Sequence, residues 1–180
     1  FSLRGQGMPK FMTPDAAIDK ALANSKGPVV IADFWDNPGG GVAGDSTVIL
    51  RALLDRGVRD AALAMIWDPM AVRFCTIAGE GAVVPLRFGA KCAPGCGDPI
   101  DATVLIKRVV HDAYQTFGAS LVSMGNCAVI EIEGIEVVLT TSRTQALERT
   151  VFSAVGIDPT IKSILVVKSS NHFYADFSKL

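Results

Sequence analysis

The sequence predicts an α/β domain built on a mixed β-sheet, with helices packed on it and a β-hairpin excursion. Three observations predict this. Apolar runs at residues 29–35, 61–67 and 161–168 read as buried strands. The first two are each followed by a helical pattern, the βα alternation of a parallel sheet. Residues 103–141 instead read as successive strands joined by short turns, which is antiparallel pairing. At 180 residues, a single domain over 1–180 is the default.

The elements follow in order. Thr13 caps a first helix, with Pro14 in its first turn and Asp15 suited to its dipole. Ala17, Ile18, Ala21 and Leu22 make the apolar face. After the strand at 29–35, Asp45 or Ser46 is expected to cap a second helix that ends at Arg56, with Gly57 left-handed. Asp68 and Pro69 open a third helix after the strand at 61–67, running to about Ala78. A strand at 82–88 leads into a loop at 89–99, dense in Gly and Pro. Strands are expected at 103–114, 120–131 and 136–141, with Glu133-Gly134 as a hairpin turn. Ser142-Arg143-Thr144-Gln145 reads as a capping box opening a fourth helix, with Leu147, Val151, Phe152 and Val155 on its buried face and Gly156 as its stop.

Composition narrows the function. Hydrophobic residues make up 49% and the mean hydropathy is +0.36, enough for a large core and for apolar surface facing a partner. A net charge of -1 without a basic patch argues against nucleic acid. No segment has the length of a membrane-spanning helix, and no signal peptide is read, so a cytoplasmic setting away from membranes is expected. Cys75 and Cys127 lie in apolar patterns and read as small buried hydrophobes. Cys92 and Cys96 flank Ala93-Pro94-Gly95 and leave three readings open: free loop thiols, a disulfide, or half of a metal knuckle.

The most informative stretch is Asp36-Asn37-Pro38-Gly39-Gly40-Gly41-Val42-Ala43-Gly44-Asp45. It sits between the end of a strand and the start of a helix, where open α/β sheets bind ligands. Its glycines permit close approach of a ligand or another chain. Two carboxylates make it a poor cradle for a bare phosphate. Asp36 and Asn37 suit a metal-bound water, a substrate amide or another domain's backbone. They equally suit an Asx-Pro turn bonded to its own backbone. Asp45, Ser46 and Thr47 suit helix capping, as does Asp68, although Asp68 also ends a strand on the same expected face. Lys168-Ser169-Ser170-Asn171-His172 follows the last strand and should emerge there too. Lys168 can pair with Asp36 or Asp45, and His172 can ligate zinc or move a proton. Catalytic zinc usually takes three protein ligands. Only His172 with Asp36 or Asp68 is assembled here, so no metal site is expected from this chain alone.

The glycine-rich run resembles the signature of the C-terminal domain of microcystinase C-like zinc metallopeptidases. Asp68-Pro69-Met70-Ala71-Val72, Ala78-Gly79-Glu80-Gly81-Ala82, Gly156-Ile157-Asp158-Pro159 and Val167-Lys168-Ser169-Ser170-Asn171-His172-Phe173 resemble further family segments, in family order. The resemblance implies an amide-bond hydrolase acting on small or linear peptide-like substrates. It implies zinc held mainly by an N-terminal domain that would be this domain's partner, with a homo-oligomer possible. It favours Asp36, Asn37 and His172 as catalytic, and Gly39, Gly40, Gly41, Asp45, Asp68, Lys168 and Ser169 as substrate-binding or ligand-orienting. Two other readings stand beside it: a module binding a small anion or nucleotide at the glycine turn, and a structural domain that packs on a catalytic neighbour.

Overall fold

The computed structural model describes residues 2, 4, 6, 7, 11–24 and 26–180. Its frame is one seven-stranded sheet in the order β1-β7-β2-β6-β5-β4-β3. β1 (Val29–Ala32), β7 (Ile164–Val167), β2 (Ala61–Trp67) and β6 (Ile135–Thr140) run parallel. β5 (Ser120–Ile132), β4 (Ile100–Phe117) and β3 (Val83–Phe88) continue it antiparallel. The expected mixed sheet is present, and the long β4–β5 hairpin is the excursion.

Side chains alternate between the two faces of each strand. Ile164 and Val166 of β7 join one core, with Ile135, Val137 and Leu139 of β6. α1 (Pro14–Leu22), α2 (Val48–Asp55) and α3 (Pro69–Ala78) cover it through Ile18, Leu50, Leu53, Val72 and Cys75. Leu165, Val167 and Val138 face the other core, closed by Val151 and Phe152 of α4 (Thr150–Ser153) and Phe177 of α5 (Tyr174–Phe177). Burial pushes the Cys75 thiol up to about 11 and the Cys127 thiol up to about 12, so both behave as apolar filler. A bulge places Met65 as an extra residue between the Ala64–Val138 and Ile66–Leu139 pairs. It lies just before Trp67 and Asp68 at the strand end.

Several local expectations hold. Thr13 caps α1 and Asp68 caps α3 through Ala71 N–H. Gly57 is left-handed at φ 64, and the Glu133-Gly134 turn has φ 50 and 82. Three expectations are corrected. β1 stops at Ala32 rather than residue 35, because its partner β7 stops at Val167 and the Asp33 side chain turns to Lys168. α2 has Thr47 rather than Asp45 or Ser46 at its N-cap, without a Thr47 side-chain bond; Ser46 Oγ accepts from Val48 N–H at 3.3 Å one residue earlier, and Asp45 is engaged elsewhere. The capping box at 142–145 opens no helix, and α4 is a single turn at Thr150–Ser153. There the Gln115 side chain donates to Gln145 O and accepts from Leu147 N–H, while Ala146 N–H donates to Lys168 O. Glu148 is drawn to Gly118 N–H and the Thr116 hydroxyl on the hairpin. These tertiary bonds hold the segment extended against its local helical preference.

Candidate functional site

Parallel strands β1, β7, β2 and β6 present their carboxyl ends along one edge, where their following segments converge. The 33–47 turn follows β1, Asp68 follows β2, residues 141–149 follow β6, and Lys168 to His172 follow β7. This is the expected common edge.

Lys168 is its hub. The side chain is 1% exposed and its ammonium lies 2.9 Å from Asp33 Oδ2 and 2.8 Å from Asp36 Oδ2. It also donates to Ser46 O at 3.0 Å. Asp36 holds the turn closed: Oδ1 accepts from Gly44 N–H and Oδ2 from Ser46 N–H. So Asp36 faces inward, tied to three donors. Asn37 Oδ1 accepts from Gly39 N–H, and its amide donates to Ser170 Oγ at 3.0 Å. That bond joins the glycine turn to the segment after β7. Gly44 has φ +75 and packs so tightly that an added Cβ would stand 2.5 Å from Pro38 Cγ. Gly39, Gly40 and Gly41 are exposed on the outside of the turn.

The second layer is the loop at 89–99. Asp45 Oδ2 accepts from Lys91 N–H at 2.7 Å and Cys92 N–H at 2.9 Å. Asp68 caps α3 and also binds Gly89 N–H and the Lys91 ammonium, the latter at 2.7 Å. Cys96 O accepts from Thr47 N–H at 3.0 Å, which fixes this loop to the start of α2. His172 is exposed, and its ring meets Phe117 at the hairpin tip edge-on at 5.4 Å. Three buried polar side-chain atoms lack a hydrogen-bond partner among the described residues: Asp45 Oδ1, Gln145 Oε1 and Ser169 Oγ. All three belong to segments at this edge. Native interiors leave few such groups, so each of the three calls for an explanation.

One group of metal-ligating side chains is gathered among the described residues: Asp36, Asp45 and Cys96. It includes neither His172 nor Asp68. Sequence reasoning missed Asp33, Lys91 and the contribution of Cys96. Asp33 had a signal, a lone charge at the end of an otherwise apolar strand. Cys96 had only the Cys92–Cys96 spacing and Lys91 had none, because both reach the site from a loop whose path depends on the β3–β4 turn.

The sequence profile of the MlrC C-terminus family matches residues 31–180. The chain belongs to the MlrC C-terminus family. Microcystinase C from a Sphingomonas species is 32% identical over 178 residues, spanning 99% of this chain and 35% of that protein. The chain therefore covers about a third of the relative it matches. A solved structure from Mesorhizobium sp. BNC1, described as a candidate metallopeptidase, superposes with a TM-score of 0.90 at 21% identity. It covers 99% of this chain and 36% of that one, and at that identity it shows the fold. The fold of this MlrC C-terminus domain is thus one that also occurs within a much longer chain. No described helix is long and apolar enough to cross a membrane.

Proposed function

We propose that this chain is the C-terminal domain of a zinc-dependent metallohydrolase that cleaves amide bonds in small or linear peptide-like substrates. The observation that supports it most is the family match, taken with unpartnered polar atoms at the carboxyl edge. In this reading the zinc is held mainly by the domain that precedes this region in the relatives. When bound, zinc supplies an activated water and polarises the scissile carbonyl.

This chain's own residues shape and present the edge. Asp36 and Lys168 act as positioning residues toward the substrate, since each is tied to the other or to the turn backbone. Asp45 and Asp68 fix the loop at 89–99 in the same way. The exposed backbone of Gly39, Gly40 and Gly41 and the exposed His172 are left to meet substrate or the partner domain, while Asn37 ties the turn to Ser170. His172 is the proton carrier or carbonyl donor among them. The partner domain also covers Phe11, Phe34 and Trp35, which stack on one another beside β1. Trp35 is 69% exposed and immediately precedes Asp36, so this apolar surface is continuous with the site. A small-anion site is disfavoured by the buried Asp36 and Asp45 carboxylates beneath the turn. All four cysteines are free, which suits a reducing cytoplasmic setting.

The test uses a full-length protein carrying this domain, assayed on linear peptides of the microcystin kind. Amide hydrolysis should vanish on chelation and return with zinc. His172→Ala should lower kcat by about 100-fold, with little change in melting temperature because the ring is exposed. Hydrolysis indifferent to chelator would overturn the metal reading. Full activity in the His172 variant would remove that residue from the chemistry.

A further inference from the structure

We propose that Asp36, Asp45 and Cys96 form a binding site, within this chain, for a thiophilic divalent cation of the zinc type. The proposal does not rest on the hydrolase reading, whose metal is assigned mainly to another domain.

Geometry comes first. One carboxylate oxygen from each aspartate and Cys96 Sγ all lie within 4.8 Å of one another. Ligands around a tetrahedral zinc stand about 3.5 Å apart, so only a small closure is needed. Backbone anchors hold each ligand. Asp36 is tied to Gly44 and Ser46 N–H, Asp45 to Lys91 and Cys92 N–H, and Cys96 through its carbonyl to Thr47 N–H. The loop carrying Cys96 includes Gly95 and Gly97, both left-handed, which lets the sulfur adjust.

Asp45 supplies the independent observation. It is 1% exposed, and its Oδ2 takes two amides while Oδ1 is buried without a hydrogen-bond partner among the described residues. A buried carboxylate oxygen without a donor is costly to keep. A water could donate to it but would neutralise no charge. The local charge favours a cation: Asp33, Asp36 and Asp45 are all buried, and among the described residues Lys168 is the ammonium set against Asp33 and Asp36. The Lys91 ammonium is bound to Asp68. A thiol ligates as the thiolate, so binding exchanges the Cys96 proton for the cation and releases that proton to solvent. A sulfur with carboxylate oxygens matches borderline-soft ions such as zinc. Cys92 is exposed and its sulfur is not part of the gathered group, so it is not counted as a ligand.

The experiment titrates this chain, kept reduced, with cadmium chloride and follows thiolate-to-cadmium absorption in the ultraviolet, with zinc chloride as competitor. One ion per chain should bind, and zinc should displace it. Cys96→Ser should abolish the absorption and weaken binding by at least about tenfold, while melting as wild type without metal. Cys92→Ser should leave both unchanged. In the unaltered chain, zinc should protect Cys96 but not Cys92 from iodoacetamide, read by peptide mass. A signal that survives Cys96→Ser, or zinc-independent alkylation of Cys96, would overturn the proposal. So would a signal lost in Cys92→Ser alone.

Discussion

Lys168 is 1% exposed and carries a charge, which is tolerable only because Asp33, Asp36 and Ser46 O surround it. It joins the end of β7 to the turn after β1, across more than 120 residues of sequence. Removing one member of a buried ionic set leaves the other charges unpaired, at about 3–5 kcal/mol. Lys168→Met should therefore lower the urea midpoint strongly in metal-free buffer. Lys91→Met removes a half-exposed ammonium from Asp68 and should change it by about 1 kcal/mol or less. Equal midpoints for the two variants would mean that the buried aspartates are compensated by something other than Lys168. The sequence made the Lys168–Asp36 pair legible because both residues sit just past buried strands. Asp33 went unread despite its lone charge, because the apolar pattern absorbed it into the strand at 29–35.

At the scale of the element, the glycine turn is a closed shape, with only its outer side open. Gly44 needs a left-handed backbone and touches Pro38, whereas an added Cβ at Gly40 would meet nothing within 4 Å. Gly44→Ala should destabilise the chain by about 1–3 kcal/mol, measured as a lower melting temperature. Gly40→Ala should be near neutral for stability, yet it adds a methyl to the surface proposed to meet substrate or partner. Loss of hydrolysis in a full-length Gly40→Ala protein with an unchanged melting temperature would place the turn at the contact. Unchanged activity would confine its glycines to folding. Turns and strands were readable here because φ > 0 positions and apolar runs are local signals. The segment at 142–149 was not. Its capping-box pattern is a true local preference, overruled by Gln115 and by the hairpin residues Thr116 and Gly118, more than 25 residues away.

For the whole molecule, two faces of the sheet are covered by helices, while the outer edge at β1 is not equally closed. Phe11 and Phe34 stack at 4.5 Å, and Trp35 sits edge-on to both. Three aromatics sharing an exposed surface beside an edge strand form the apolar surface that we propose a partner covers. The chain spans 35% of Microcystinase C, and the remaining length of such a protein is the occupant proposed for it. Trp35 is its own reporter, because the only other tryptophan is Trp67, which is half-buried and bonded through Nε1 to Thr141 O. In a Trp67→Phe background, acrylamide should quench Trp35 efficiently in this chain alone. In a full-length protein carrying the same substitution, quenching should fall several-fold and the emission should shift to shorter wavelength. Trp35→Ser should leave the melting temperature of the isolated chain almost unchanged, since the ring is exposed there, and should weaken the full-length protein. Equal quenching in the two contexts would show that the partner domain docks elsewhere. The continuity between the aromatic surface and the Asp36 turn would then lose its functional meaning.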